Sequence, residues 1–113
     1  MDAGVVVRRE VARPEGSVLV LHGGREHGLR RPPRLNFPAW RKRPFLRALA
    51  NATAGHSVTL AEIRYRHTGW NGDRADPAHD AAAAVAELSE RTAGAPIVLV
   101  GHSMGGRAAL QAA

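Results

Sequence analysis

The sequence has no cysteine. Disulfides, thiolate metal sites and cysteine nucleophiles are therefore excluded. Aromatic residues make up only 4% of the chain. Two of them, Phe37 and Trp40, lie in its basic loop Arg25–Arg43, thin support for the stacking platforms that single-stranded nucleic acid requires. No strongly apolar run exceeds about six residues, far short of a membrane span. The opening stretch MDAGVVVRRE has no cationic lead before a long apolar region, so it does not read as a secretory signal. The expected location is the cytoplasm.

What is present is a basic, alanine-rich chain of 113 residues with net charge +6. That length accommodates one domain and one core. At 44% hydrophobic and 23% charged residues, the composition is globular rather than disordered. The charge is concentrated. From Arg25 to Arg47 there are eight basic residues and one acid, Glu26, while the rest of the chain is close to balanced. All the basic residues except Lys42 are arginine, a bias that a GC-rich genome also produces.

The chain alternates strand-like and helix-like segments. Val5 to Val11 reads as a strand near a sheet edge, because charged residues enter it. Ser17 to His22 (SVLVLH) is a short continuous apolar run of the kind buried on both faces of a parallel sheet. Arg25 to Arg43 is basic, proline-broken loop. Pro44 suits the first position of a helix that runs to about Ala52 on the apolar stripe Phe45, Leu46 and Leu49 and stops at Gly55. Ser57 to Tyr65 is a further internal strand, and His67 to Arg74 a glycine-containing loop. Asp76 before Pro77 predicts a carboxylate-capped helix start. Ala81, Val85, Leu88 and Thr92 then share one helical face. After Gly94 and Pro96, Ile97–Val100 reads as a central strand, and Met104 opens a last helix. This β-β-α-β-α-β-α order predicts a three-layer α/β/α fold with a mainly parallel sheet.

Two motifs carry chemistry. Gly101-His102-Ser103-Met104-Gly105 matches G-x-S-x-G in the setting the motif requires, between a strand and a helix. The serine must take a strained backbone conformation to stand clear of the sheet, and glycines two residues to either side remove the clash that side chains would create there. Helix onset directly after Ser103 leaves unpaired N–H groups beside its hydroxyl. The second motif, His22-Gly23-Gly24, follows the other buried strand. An amide of this turn could join the Met104 N–H around a developing oxyanion.

With both motifs in place, the chain resembles the amino-terminal half of an α/β-hydrolase, a family of serine esterases, lipases, peptidases and relatives. The resemblance runs from the first strand through VLVLHGG to IVLVGHSMGG. It implies that Ser103 is the nucleophile and that Met104 and Gly24 supply the oxyanion-hole amides, with Arg25 as an alternative to Gly24. Gly101, Gly105, His102, Gly23 and His22 would be structural parts of the elbow and turn. It implies a small acyl substrate and no cofactor. Metal binding is not expected, since no histidine pair has helix-spaced geometry.

The departure from the family is equally specific. In this fold the triad follows the chain order Ser, Asp or Glu, His. The ten residues after Ser103, MGGRAALQAA, contain neither an acid nor a histidine. Residues 1–113 are therefore expected to be the amino-terminal part of a single domain, lacking base and acid. The missing half, or a covering partner, is expected at the open sheet edge beside Ile97–Val100. Among the six histidines, only His27 and His67 lie on loops suited to replacing the base. Arg25, Arg30, Arg31 and Arg34 would border a ligand crevice at the carboxyl ends of the strands and could draw in acidic substrates; Trp70 and Asn71 could line the same crevice. Two other classes stay open: a non-catalytic binding or scaffold module that kept the elbow, and a nucleic-acid binder acting through the basic loop.

Overall fold

The computed structural model describes residues 3–23, 43–67 and 69–113, the side chains of residues 43–45 excepted. In chain order the elements are β1 (Gly4–Arg9), β2 (Gly16–Leu21), α1 (Arg43–Ala52), β3 (Val58–Arg64), α2 (Asp76–Arg91), β4 (Ile97–Gly101) and α3 (Met104–Ala112). A short 3-10 turn at Gly72–Arg74 precedes α2. The sheet order is β1-β3-β2-β4. β1 runs antiparallel to β3, and the other pairs are parallel.

This topology follows from alternation along each strand. Val5 and Val7, Leu19 and Leu21, Ala61 and Ile63, and Ile97 and Leu99 all turn the same way, toward the core built with α2 and α3. Ala81, Ala84 and Leu88 of α2 and Met104 and Ala108 of α3 close that core from above. The first crossover steps from β2 to β3, and the second steps back past β2 to β4. Right-handed connections travelling in opposite directions lie on opposite faces, which gives the three layers. The chain order thus reverses at the carboxyl ends of β2 and β4, the place where open parallel sheets gather their ligands.

Two expectations are adjusted. β1 ends at Arg9 rather than Val11. Arg9 there turns its guanidinium to the Val58 and Ala50 carbonyls and the Thr53 hydroxyl, so it ties the strand to the end of α1. Asp76 does not cap α2 from outside. The cap position is Ala75, in a left-handed conformation (φ 46°, ψ 48°), and Asp76 is already helical. Its buried carboxylate instead accepts from Asn71 Nδ2 at 2.7 Å and pairs with Arg74 at 3.2 Å. A buried carboxylate gains more from charged and amide donors than from a single main-chain N–H. As expected for an open edge beside Ile97–Val100, among the described residues β4 lies at the sheet edge, paired with β2 alone. Val98 of β4 and Leu110 of α3 are 59% and 83% exposed beside it. No helix of the described residues is long and apolar enough to cross a membrane.

Candidate active site

β4 delivers Ser103 to the point where the chain turns from strand into α3. Its backbone sits at φ 55°, ψ −120°, a region that L-residues seldom occupy and that costs on the order of 1–3 kcal/mol. The corner is held by main-chain bonds: His102 N–H donates to the Leu21 carbonyl at 3.1 Å, Gly105 N–H to His102 at 2.9 Å, and Arg107 N–H to Ser103 at 3.2 Å. The first of these fastens the corner to the end of β2.

The two flanking glycines are required by contact. A Cβ on Gly101 would lie 2.5 Å from the Gly105 carbonyl oxygen and 2.6 Å from Gly106 Cα. A Cβ on Gly105 would overlap the Leu21 carbonyl outright and lie 2.7 Å from the His22 oxygen. All of these neighbours are backbone and none can swing away. The spacing in G-x-S-x-G is therefore the spacing at which α3 presses on β4 from one side and on β2 from the other.

The second motif meets the first here, although 80 residues separate Gly23 from Ser103. A Cβ on Gly23 would lie 3.4 Å from Ser103 Cβ and 3.5 Å from the His102 carbonyl. His22 is buried. Its Nδ1 lies 2.9 Å from the Gly23 carbonyl oxygen, and since a carbonyl only accepts, Nδ1 carries the proton and donates. The His22 ring stands edge-on to Tyr65, centroids 4.7 Å apart, and the Tyr65 hydroxyl donates to the His22 carbonyl at 2.9 Å.

Ser103 and His102 are exposed, whereas Met104 is buried. The Met104 side chain anchors α3 in the core, and among the described residues its N–H takes part in no main-chain hydrogen bond. A helix N-terminus offers such an N–H to an anion, with the helix dipole reinforcing the attraction. Gly24 and Arg25 lie outside the described residues, as do His27, Arg30, Arg31, Arg34, Phe37 and Trp40. Trp70 is in the core, only 4% exposed, with the Arg107 guanidinium carbon 3.9 Å above its ring. It flanks the elbow through Arg107 rather than as an open wall. Asn71 is committed to Asp76.

Two residues of this neighbourhood carried little or no signal in the sequence. Tyr65 is one. Burial, and then the Asp80 carboxylate, push its phenol well above the ordinary tyrosine value, so it stays a donor at working pH. Asp80 is another: it is 1% exposed and accepts from both the main-chain N–H and Nε of Arg66. This pair and Asp76 pin the chain between β3 and α2. The only pointer was the spacing of Asp76 and Asp80, one helical turn apart. Among the described residues no cluster of three or more histidine or acidic side chains is arranged to hold a metal ion.

A family model described as the alpha/beta hydrolase family matches residues 18–113. No curated protein and no solved structure gives a significant match. The matched span begins in β2 and takes in both the His22-Gly23 turn and the Ser103 elbow, and the chain belongs to the alpha/beta hydrolase family.

Proposed function

We propose that these residues form the nucleophile and oxyanion-binding half of a serine hydrolase acting on an ester, thioester or amide. Ser103 Oγ attacks the acyl carbon, and the carbonyl π electrons move onto its oxygen. Met104 N–H and the amide of Gly24 (or of Arg25) receive that oxyanion. The hydroxyl proton passes to a base, which returns it to the leaving group. The observation that carries this reading is the strained, exposed Ser103 corner held in contact with Gly23. Losing one oxyanion donor typically costs ~10²–10³ in rate.

No acid or histidine follows Ser103 in these residues. We therefore expect the 113-residue chain by itself to hydrolyse very little, because triad members act as a unit. A fluorophosphonate probe followed by mass spectrometry tests both parts. Slow labelling of Ser103, absent in Ser103→Ala and accelerated by added imidazole, is expected. Labelling elsewhere rejects Ser103 as nucleophile, and fast labelling without imidazole places a base within the chain.

A second reading, a binding module, is favoured by the β4 edge, which no strand covers among the described residues, with Val98 and Leu110 exposed beside it. Unpaired strand edges of apolar sequence recruit further chain. On either reading we propose that this edge is covered in the working protein, by the remaining half of the fold or by a partner. Val98→Lys should then leave the chain more soluble and more monomeric in sedimentation. An unchanged distribution argues against a sticky edge.

A further inference from the structure

We infer that Arg107 binds a carboxylate of the substrate, so that the hydrolase acts on acidic esters, thioesters or amides. The inference rests on the serine-hydrolase reading and adds the substrate's charge to it. Arg107 lies one helical turn after Ser103, and its main-chain N–H donates to the Ser103 carbonyl at 3.2 Å. Helical side chains lean toward the N-terminus of their helix, over the preceding turn. The Arg107 guanidinium is therefore on the elbow side of α3, where it meets Trp70 of the chain that follows β3. Arg107 is exposed, whereas Trp70 beneath it is buried.

The arginines that flank Trp70 in the chain are committed to acids. Arg66 pairs with Asp80 and Asp76, and Arg74 with Asp76. Asp76, whose N–H donates to the Trp70 carbonyl at 3.1 Å, thus has its charge met by these arginines and by Asn71. Arg107 differs: among the described residues its side chain makes no ion pair and no hydrogen bond. What holds it is the Trp70 ring, 3.9 Å from the guanidinium carbon. An indole face attracts a cation without neutralising it. At that height the central carbon is itself in contact with the ring, which is a flat approach. The N–H donors lie in the guanidinium plane, so they stay free at its edge. Part of the freedom that an arginine loses on binding is already lost in the unliganded protein. A planar, pre-ordered fork of donors with unmet charge is suited to gripping a carboxylate through two parallel bonds.

Labelling of Ser103 by aryl phosphonates tests this, read by mass spectrometry with imidazole added as the base. Two probes carry a carboxylate, one on the alkyl arm that stays on the serine and one on the aryl leaving group. Each is compared with its neutral carboxamide twin. In the wild-type chain at low salt, at least one carboxylate probe should label about tenfold faster than its twin, the lower end of what a charge-assisted hydrogen bond contributes. The probe that gains identifies the side of the scissile bond that bears the acid. Arg107→Gln should bring the ratio close to one, and Arg107→Lys, a cation without the fork, should keep only part of it. A ratio near one in the wild type, or a ratio retained in Arg107→Gln, overturns the inference and leaves the hydrolase reading standing. If no probe labels Ser103, the hydrolase reading itself fails. Should Arg107→Gln not fold, NMR of the Ser103→Ala chain grown on ¹⁵N-arginine decides. The Arg107 Nε–H, identified by its proximity to the Trp70 ring, should move on adding the preferred carboxylate probe and not on adding its twin; equal responses overturn the inference.

Discussion

Gly105 and Gly106 are adjacent, both in the first turn of α3, and should respond oppositely to alanine. At Gly106 the nearest atom to an added Cβ is the Gly101 carbonyl oxygen at 3.5 Å, an ordinary contact. Alanine there gains the helical preference over glycine, about 0.5–1 kcal/mol. At Gly105 the added carbon overlaps the Leu21 carbonyl and crowds the His22 oxygen at 2.7 Å. Relief requires α3 and the end of β2 to separate by roughly 1.5 Å, since carbon and oxygen are comfortable only near 3.3–3.5 Å. Overpacking of this kind costs about 1–3 kcal/mol or more. The same separation moves Ser103 away from the His22-Gly23 turn, and a misplacement of ~1 Å costs on the order of 10²-fold in rate. Urea denaturation of the two variants, with fluorophosphonate labelling of each, measures both effects. Gly106→Ala should match or exceed the parent in stability and label at a comparable rate. Gly105→Ala should be destabilised and label far more slowly. Equal stability for the two variants would refute the close approach of α3 to β2 on which the site geometry depends.

Other outcomes follow from the buried polar groups. Tyr65 ionises at about 10 when unfolded, its ordinary value of 10.0, and higher when folded. Its contribution is therefore fully present below pH ~10 and declines as pH rises toward the folded value, by up to about 1.4 kcal/mol per pH unit. In alkaline denaturation, Tyr65→Phe should lose that part of the slope; identical slopes would show that the phenol is not sequestered. Arg66→Ala leaves the Asp80 carboxylate with its main-chain N–H donor but without the guanidinium. Because Arg66 is itself partly exposed, a loss of about 1–3 kcal/mol in urea unfolding is expected, and no loss would mean that the pair is solvated. The Ser17 hydroxyl is buried without a hydrogen-bond partner among the described residues. Ser17→Ala should be neutral or stabilising by about 1 kcal/mol, and a large destabilisation would reveal a partner.

Much of this architecture was legible because it rests on local pattern. Apolar runs at Ser17–His22 and Ile97–Val100, each followed by glycine, mark strands that end in tight turns. Ala81, Val85, Leu88 and Thr92 mark the inner face of α2. The elbow was legible for a stronger reason: the need for glycine at 101 and 105 is written into the sequence, and the structure supplies the colliding atoms. Less visible was anything dependent on a partner distant in the chain. Nothing about Tyr65 in isolation distinguishes a core ring from a donor to residue 22. Nor does Asp76 before Pro77 reveal that its carboxylate is taken by Asn71 and Arg74, leaving the cap position to Ala75. β4 reads as a central strand because its apolar sequence is that of a strand covered on both faces, yet among the described residues it has one neighbour, β2. Strand order is decided by crossovers, which a periodicity does not encode.

The central claim is geometric: an oxygen bearing negative charge, attached to the carbon that Ser103 attacks, falls between the first amide of α3 and an amide of the His22-Gly23 turn. A crystal structure of the chain phosphonylated at Ser103 measures this directly. The phosphoryl oxygen should lie about 2.7–3.1 Å from Met104 N and at a similar distance from the amide that follows Gly23. An oxygen turned to solvent, with both amides vacant, would contradict it.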